Sequence, residues 1–284
     1  MRSLGTPFNR GSNTAAATLG RVSHLLVDMD GVLFRGGTAL PGASGFLPWL
    51  QNHGIAFQLI TNNSTASPEK NAALLAAMGI HVDLDAVFTS AMATGRYLER
   101  HAERGERTFV IGEEGLVEAV ANAGMEVVRD PEGVSWVVAG LDRHVTYEEL
   151  CMASFALERG ARFIATNADA SLPVEQGEAP GAGALQAALV ATTGVKPLVI
   201  GKPEPLLLEL GMERIGGSRD NTAMLGDRLD TDIAAAARLE MTSILVLTGV
   251  TAREDLASSR IRPNVTVNGL PELMKIWSTA KRSQ

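Results

Sequence analysis

Apolar strand-like runs alternate with helical patterns along nearly the whole chain, and no other feature constrains the fold as much. Val22–Val27 reads as a buried strand and Gly45–Asn52 as the heart of a helix. Ile55–Ile60 is a second strand, and Pro68–Met78 a helix closed by Gly79, a residue suited to a helix stop. The last third repeats the pattern. Leu198–Ile200 is a short strand and Pro205–Arg214 a helix. Thr222–Leu225 is a strand, followed by an alanine-rich helix from Thr231 to Leu239. Ser243–Leu247 and Asn264–Val267 are strands, and a last helix runs from Pro271 to Thr279. Such βα order, with strands apolar throughout, requires a parallel sheet with helices on both faces and right-handed crossovers. The expected fold class is therefore α/β, a doubly wound parallel sheet.

The 284 residues are enough for a large core and two domains. The middle of the chain is also α/β, with Arg107–Ile111, Val134–Ala139 and Arg162–Ala165 as strands and Glu114–Ala123 and Tyr147–Glu158 as helices. No Pro/Gly/Ser linker marks either border of this segment. An inserted domain fits the pattern, and one long doubly wound sheet fits it equally. The expected division is a flexible tail over 1–21, a core over 22–81 and 181–284, and an inserted domain over 82–180. The tail carries Arg2, Arg10 and Arg21 and no acid, but lacks the amphipathic spacing of a transit peptide.

A net charge of −7 argues against nonspecific attraction to nucleic acid or an anionic membrane surface, and no apolar run is long enough to span a bilayer. Cys151 is the only cysteine, so no internal disulfide forms and a reducing cytoplasm suits the chain. Its place in a helical pattern reads as a small core residue rather than a nucleophile.

Four strand ends carry chemistry. In His24-Leu-Leu-Val-Asp28-Met-Asp30-Gly31, two aspartates at i and i+2 end an apolar strand, which puts both carboxylates on one side. Ligands of open parallel sheets bind beyond these carboxyl ends. Like charges so close repel unless one is protonated or a cation lies between them. The alternative is a solvated strand end followed by a turn. In Leu59-Ile-Thr61-Asn62-Asn63-Ser64, a hydroxyl and nearby N–H groups suit phosphate oxygens, or else Ser64 or Ser67 merely caps the helix at Pro68. In Ile200-Gly201-Lys202-Pro203, a lysine follows a short strand, poised either for a phosphate or for solvent. In Leu225-Gly226-Asp227-Arg-Leu-Asp230-Thr231-Asp232, Asp227 is placed as a metal ligand. Asp230 reads as a helix cap, and Asp232 as either a helix terminus or a support to the metal. Several acids without a His/Cys cluster suggest a hard cation, magnesium.

These four segments, in this order, resemble the four motifs of the haloacid-dehalogenase-like (HAD) superfamily, over nearly the whole chain after Arg21. The long stretch between the second and third motifs resembles the C2-type cap of subclass IIA, the NagD-like and p-nitrophenylphosphatase branch. Ala165-Thr-Asn167-Ala-Asp169 resembles that branch's cap segment, with Ala168 where proline is usual. Pro180-Gly-Ala-Gly183 resembles its return to the core.

The resemblance implies a magnesium-dependent phosphomonoesterase acting on a small phosphorylated metabolite: a sugar phosphate, a phosphoglycolate-like acid or a nucleotide monophosphate. Asp28 would form an aspartyl-phosphate, and Asp30 would protonate the leaving oxygen and then activate water. Mg2+ would be held by Asp28, the Asp30 carbonyl and Asp227, supported by Asp232. Thr61, Asn62 and Lys202 would bind phosphoryl oxygens, and Asn167 and Asp169 would read the leaving group. A homodimer through the cap is also implied. Phosphoryl transfer to a second metabolite and a silent phosphometabolite-binding module remain alternatives.

Overall fold

The computed structural model describes residues 9–174 and 176–281. Residues 9–20 depart from the expected flexible tail: Asn9–Gly20 is a helix, and residues 1–8 of that tail lie outside the described residues. The run Thr-Ala-Ala-Ala-Thr-Leu is rich in good helix formers. The helix packs against the last helix, Leu270–Lys281, and Leu19 is fully buried. No helix among the described residues is long and apolar enough to cross a membrane.

The chain divides into two compact units. The first comprises residues up to 59, Leu74–Val82 and residues from 211 onward. Its strands lie in the order Val265–Val267, Thr242–Val246, Thr222–Gly226, His24–Asp28 and Ala56–Thr61, the last leading out of the unit. The first four pair in parallel. Leu25, Leu26, Val27, Met224, Leu225, Ile244 and Leu245 are fully buried, as strands covered on both faces require. Val27 is opposite Leu225, so Asp28 and Gly226 emerge side by side at the carboxyl edge. Helix Ala43–Asn52 and the last helix supply Phe46, Trp49 and Trp277 to an aromatic cluster.

The expected alanine-rich helix is shorter than its pattern. A π-helical turn occupies Leu229–Ile233, and the α-helix proper is Ala234–Arg238. The Ile233 N–H reaches back to the Arg228 carbonyl, five residues earlier, at 3.1 Å. The cause is Asp232, whose Oδ2 accepts the N–H groups of Asp227 and Arg228 at 3.2 and 3.1 Å and draws the turn inward. Such turns inside helices recur at functional sites.

The second unit comprises Ile60–Ala73 and Asp83–Leu210. Five of its strands form a sheet in the order Leu198–Val199, Arg162–Ala165, Trp136–Ala139, Arg107–Ile111 and Glu126–Val128, all paired in parallel. Phe109, Val137, Ala153, Leu157, Phe163 and Leu189 form its core. Helix Tyr147–Glu158 starts with a capping box: Thr146 Oγ1 accepts the Glu149 N–H, and Glu149 Oε2 accepts the Thr146 N–H. Cys151 sits on this helix as expected, half-buried rather than in the core.

The border expected at 181 differs from the packing. The segment after Pro180 opens helix Ala182–Thr193, which packs on Tyr147–Glu158. Leu198–Val199, expected among the core strands, pairs instead with Arg162–Ala165, with Leu198 opposite Ile164. Residues 181–210 therefore belong with the inserted segment. A hairpin of Ser171–Val174 and Gly177–Pro180, not anticipated from the sequence, precedes them.

Candidate active site

In the first unit, Asp28 closes strand His24–Asp28 and Asp227 follows strand Thr222–Gly226. Asp232 comes from the π-helical turn. One carboxylate oxygen from each of these three lies within 4.8 Å of the others. Asp28, Asp227 and Asp232 are 9, 2 and 1 % exposed. Three buried carboxylates at this spacing repel strongly, so the group needs a cation or protons to persist. All the donors are hard oxygens, the set that suits magnesium, and the Asp28 and Asp227 expected to hold it are both present.

The turn after Asp28 makes room for the triad. Gly31 has φ +74°, and a Cβ there would overlap the Asp227 carboxyl. The Gly31 N–H donates to the Phe34 carbonyl at 2.8 Å, and its own carbonyl accepts from Thr248 Oγ1 at 2.6 Å. Asp227 Oδ2 accepts the Val250 N–H at 2.6 Å. Bare glycine is needed at Gly249 too, where a Cβ would run into the Asp227 carboxyl. The Thr248–Val250 segment was missed at the sequence level. Its signal was an apolar strand, Thr242–Val246, followed within three residues by Thr248 and Gly249.

Asp30 stands apart from the triad, with its side chain reaching solvent. Partial burial raises its pKa above the ordinary carboxylate value, against the opposing effects of the Gly31 backbone hydrogen bond and the Arg35 charge. A carboxyl held protonated to higher pH suits a proton donor. Asp230 is not a helix cap. It pairs with Arg228 through Oδ1–Nε at 3.1 Å and Oδ2–Nη2 at 2.8 Å, and that bond lowers its pKa. Asp232, open between two roles in the sequence, anchors the main chain of the loop and also completes the acid triad.

In the second unit, the remaining expected residues form one hydrogen-bonded group. Thr61 Oγ1 accepts the Asn63 N–H at 3.1 Å. The Asn62 side chain is engaged within the protein: Oδ1 accepts the Lys202 N–H at 2.9 Å, and Nδ2 donates to the Lys202 carbonyl at 2.9 Å and to Asp169 Oδ2 at 3.2 Å. Both amide protons are thus engaged. Asn167 likewise does not face outward to read a ligand. It is buried, with Nδ2 donating to the Asn62 carbonyl at 2.8 Å and Oδ1 accepting the Asp169 N–H at 3.0 Å. Asp169 is half-buried at the end of this bridge. Lys202 is 3 % exposed, not the solvated surface lysine of the alternative reading. Ser67, not Ser64, meets the first turn of helix Pro68–Ala77, while Ser64 is buried against Thr166. Ser90 and Gln186, which extend this network, carried no sequence signal.

Comparison with known proteins agrees with the geometry. A family model described as haloacid dehalogenase-like hydrolase matches residues 25–126, and a second, HAD-hydrolase-like, matches 199–273. An acid sugar phosphatase of Staphylococcus saprophyticus is 39 % identical over 250 residues, covering 88 % of this chain and 96 % of that protein. The crystal structure of a 4-nitrophenylphosphatase from Thermotoga maritima has a TM-score of 0.85 at 36 % identity, covering 91 % of this chain and 98 % of its own. NagD from E. coli K-12 has a TM-score of 0.83 at 31 % identity, covering 88 and 98 %. With a fold, an acid triad and a near full-length similarity that agree, the chain belongs to the haloacid dehalogenase-like hydrolase family.

Proposed function

We propose that this protein is a magnesium-dependent phosphatase of small phosphate monoesters, working through an aspartyl-phosphate on Asp28. The observation that carries the reading is the buried triad of Asp28, Asp227 and Asp232 at the carboxyl edge of adjacent parallel strands. The relatives named for sugar phosphates and nitrophenyl phosphate support the substrate class. Sugar phosphates come first, with phosphoglycolate-like acids and nucleotide monophosphates next.

Asp28 and Asp227 would hold the ion together with the Asp30 carbonyl, and Asp232 would support them. Bound magnesium would neutralise the clustered acids and the charge on the phosphoryl oxygens. The Asp28 carboxylate then forms a bond to phosphorus as the ester oxygen leaves. Asp30 gives its proton to that oxygen. As a carboxylate it next takes a proton from the water that attacks phosphorus, which frees phosphate and restores Asp28. The raised pKa of Asp30 favours the first of these steps. Thr61 and Lys202 are assigned to phosphoryl oxygens on the resemblance of their segments. We propose the stretch between the second and third motifs, expected at 82–180, as a C2-type cap, the reducing cytoplasm as the setting on the strength of the lone cysteine, and pairing of two copies through the cap.

Asp30→Asn gives the sharpest test of the two-step chemistry. p-Nitrophenolate is a good leaving group and needs little protonation, whereas a sugar alkoxide needs a full proton. The variant is expected to release about one nitrophenolate per enzyme rapidly and then stall, because its second step lacks a base. With a sugar phosphate it should show no burst. A variant that turns over both substrates at the wild-type rate would contradict the role of Asp30.

A further inference from the structure

The main chain of Lys202 is gripped on both sides by a single side chain. Asn62 Oδ1 takes its N–H and Asn62 Nδ2 its carbonyl, each at 2.9 Å, as a neighbouring strand would. The second Nδ2 proton goes to Asp169. Gly201 makes the approach feasible, since a Cβ there would lie 2.7 Å from Asn62 Oδ1 and 2.6 Å from the Thr166 carbonyl oxygen. Asn62 is itself held from behind. Its carbonyl accepts from Asn167 Nδ2 at 2.8 Å and from Ser90 Oγ at 2.6 Å. Asn167 is fixed in turn, its carbonyl accepting from Gln186 Nε2 at 3.0 Å. A side-chain amide has two donor protons, and Asn62 has committed both within the protein, so its side chain has none left for a phosphoryl oxygen.

We infer that Asn62 is a positioning residue that fixes the backbone of Lys202, with Asn167 as its outer brace, and that neither side chain touches the substrate. The effect on catalysis rests on the role proposed above for Lys202, but the clamp itself does not. Preorganised groups stabilise a transition state only when held in place, and the supporting partners of a site are worth roughly 10- to 100-fold in activity.

Two readouts test the inference on the intact protein. The first is reductive methylation followed by peptide mass spectrometry, with exposed Lys275 as the internal reference. Lys202 should resist labelling in the wild type and be labelled faster in Asn62→Ala and Asn167→Ala, relative to Lys275. The second is a double-mutant cycle on sugar-phosphate hydrolysis. Asn62→Ala should lower kcat/KM roughly 10- to 100-fold, mainly through kcat. In a Lys202→Ala background the same substitution should change kcat/KM by less than about 2-fold, because the two act as one unit. If Asn62→Ala does not fold, Asn62→Asp keeps the volume and the acceptor for the Lys202 N–H but loses both donors, and should shift in the same direction. Unchanged Lys202 labelling in a folded variant would overturn the clamp. A full multiplicative loss in the Lys202→Ala background would overturn action through Lys202. A wild type that releases no phosphate would defeat the proposed function, with the labelling arm still deciding the clamp.

Discussion

Three carboxylates with oxygens inside 4.8 Å are a liability to the metal-free protein. At an effective dielectric of about 20, two unit charges at that separation repel by roughly 3 kcal/mol. Asp28→Asn removes one charge at nearly constant volume. It should therefore raise the melting temperature of the chelated protein while abolishing hydrolysis, a combination that simple loss of packing does not produce. Magnesium should stabilise the wild type, by about 2.7 kcal/mol at a concentration 100 times Kd. It should stabilise the variant less. A chelated Asp28→Asn protein that melts below wild type would show that the triad is not under charge strain. Gly249→Ala addresses the same group from outside, since the new methyl meets the Asp227 carboxyl. Magnesium affinity should fall roughly 10- to 100-fold, as for other supporting positions. Calorimetric titration of Mg2+ into the variant measures it, and an unchanged Kd would show that Asp227 can move without cost.

At the scale of elements, one joint ties three strands of the second unit. Glu106 Oε2 accepts from Trp136 Nε1 at 2.7 Å and from Arg162 Nη2 at 3.2 Å, and the Arg162 guanidinium lies 3.5 Å over the Trp136 ring. The indole hydrogen bond is the main reason that the Glu106 pKa is lowered, with Arg162 adding to it. A carboxylate with a depressed folded pKa stabilises above its unfolded value, and that stability is lost as pH falls through the folded pKa. Glu106→Gln should cost about 1 kcal/mol at neutral pH. The difference from wild type should shrink in acid, below the ordinary glutamate range. Denaturant melts at neutral and acidic pH check this, and a pH-independent difference would show that the charge plays no part.

Elements were legible where one signal sufficed. Arg107–Ile111, Tyr147–Glu158 and Arg162–Ala165 lie where the patterns put them, because the apolar pattern alone marks them. Helix Asn9–Gly20 was not legible, since its docking depends on Leu19 and on a helix from the far end of the chain. The π-helical turn was hidden for a similar reason: Asp232 reads as an acid at a helix start, and only its two main-chain hydrogen bonds show that it reshapes that start. Asp28 and Asp227 stood out in the sequence because they end buried strands. The engagement of Asn62 with Lys202 spans 140 residues, and no local pattern encodes it.

For the molecule as a whole, both units are parallel α/β structures, which is why the border between them was obscure. Leu198–Val199 is a two-residue strand whose partner is visible only in three dimensions. The net charge of −7 sets a requirement on the enzyme as a whole. An acidic protein with three of its acids clustered in one buried triad must obtain positive charge from elsewhere to accept a phosphate dianion. Chelation should therefore abolish activity and added Mg2+ restore it.

The most direct test of the central claim is phosphate release from a sugar phosphate and from p-nitrophenyl phosphate, with and without magnesium, by wild type and Asp28→Asn. Release that requires magnesium and vanishes in Asp28→Asn is the predicted result. Release that survives in Asp28→Asn, or that is indifferent to chelation, would contradict the account.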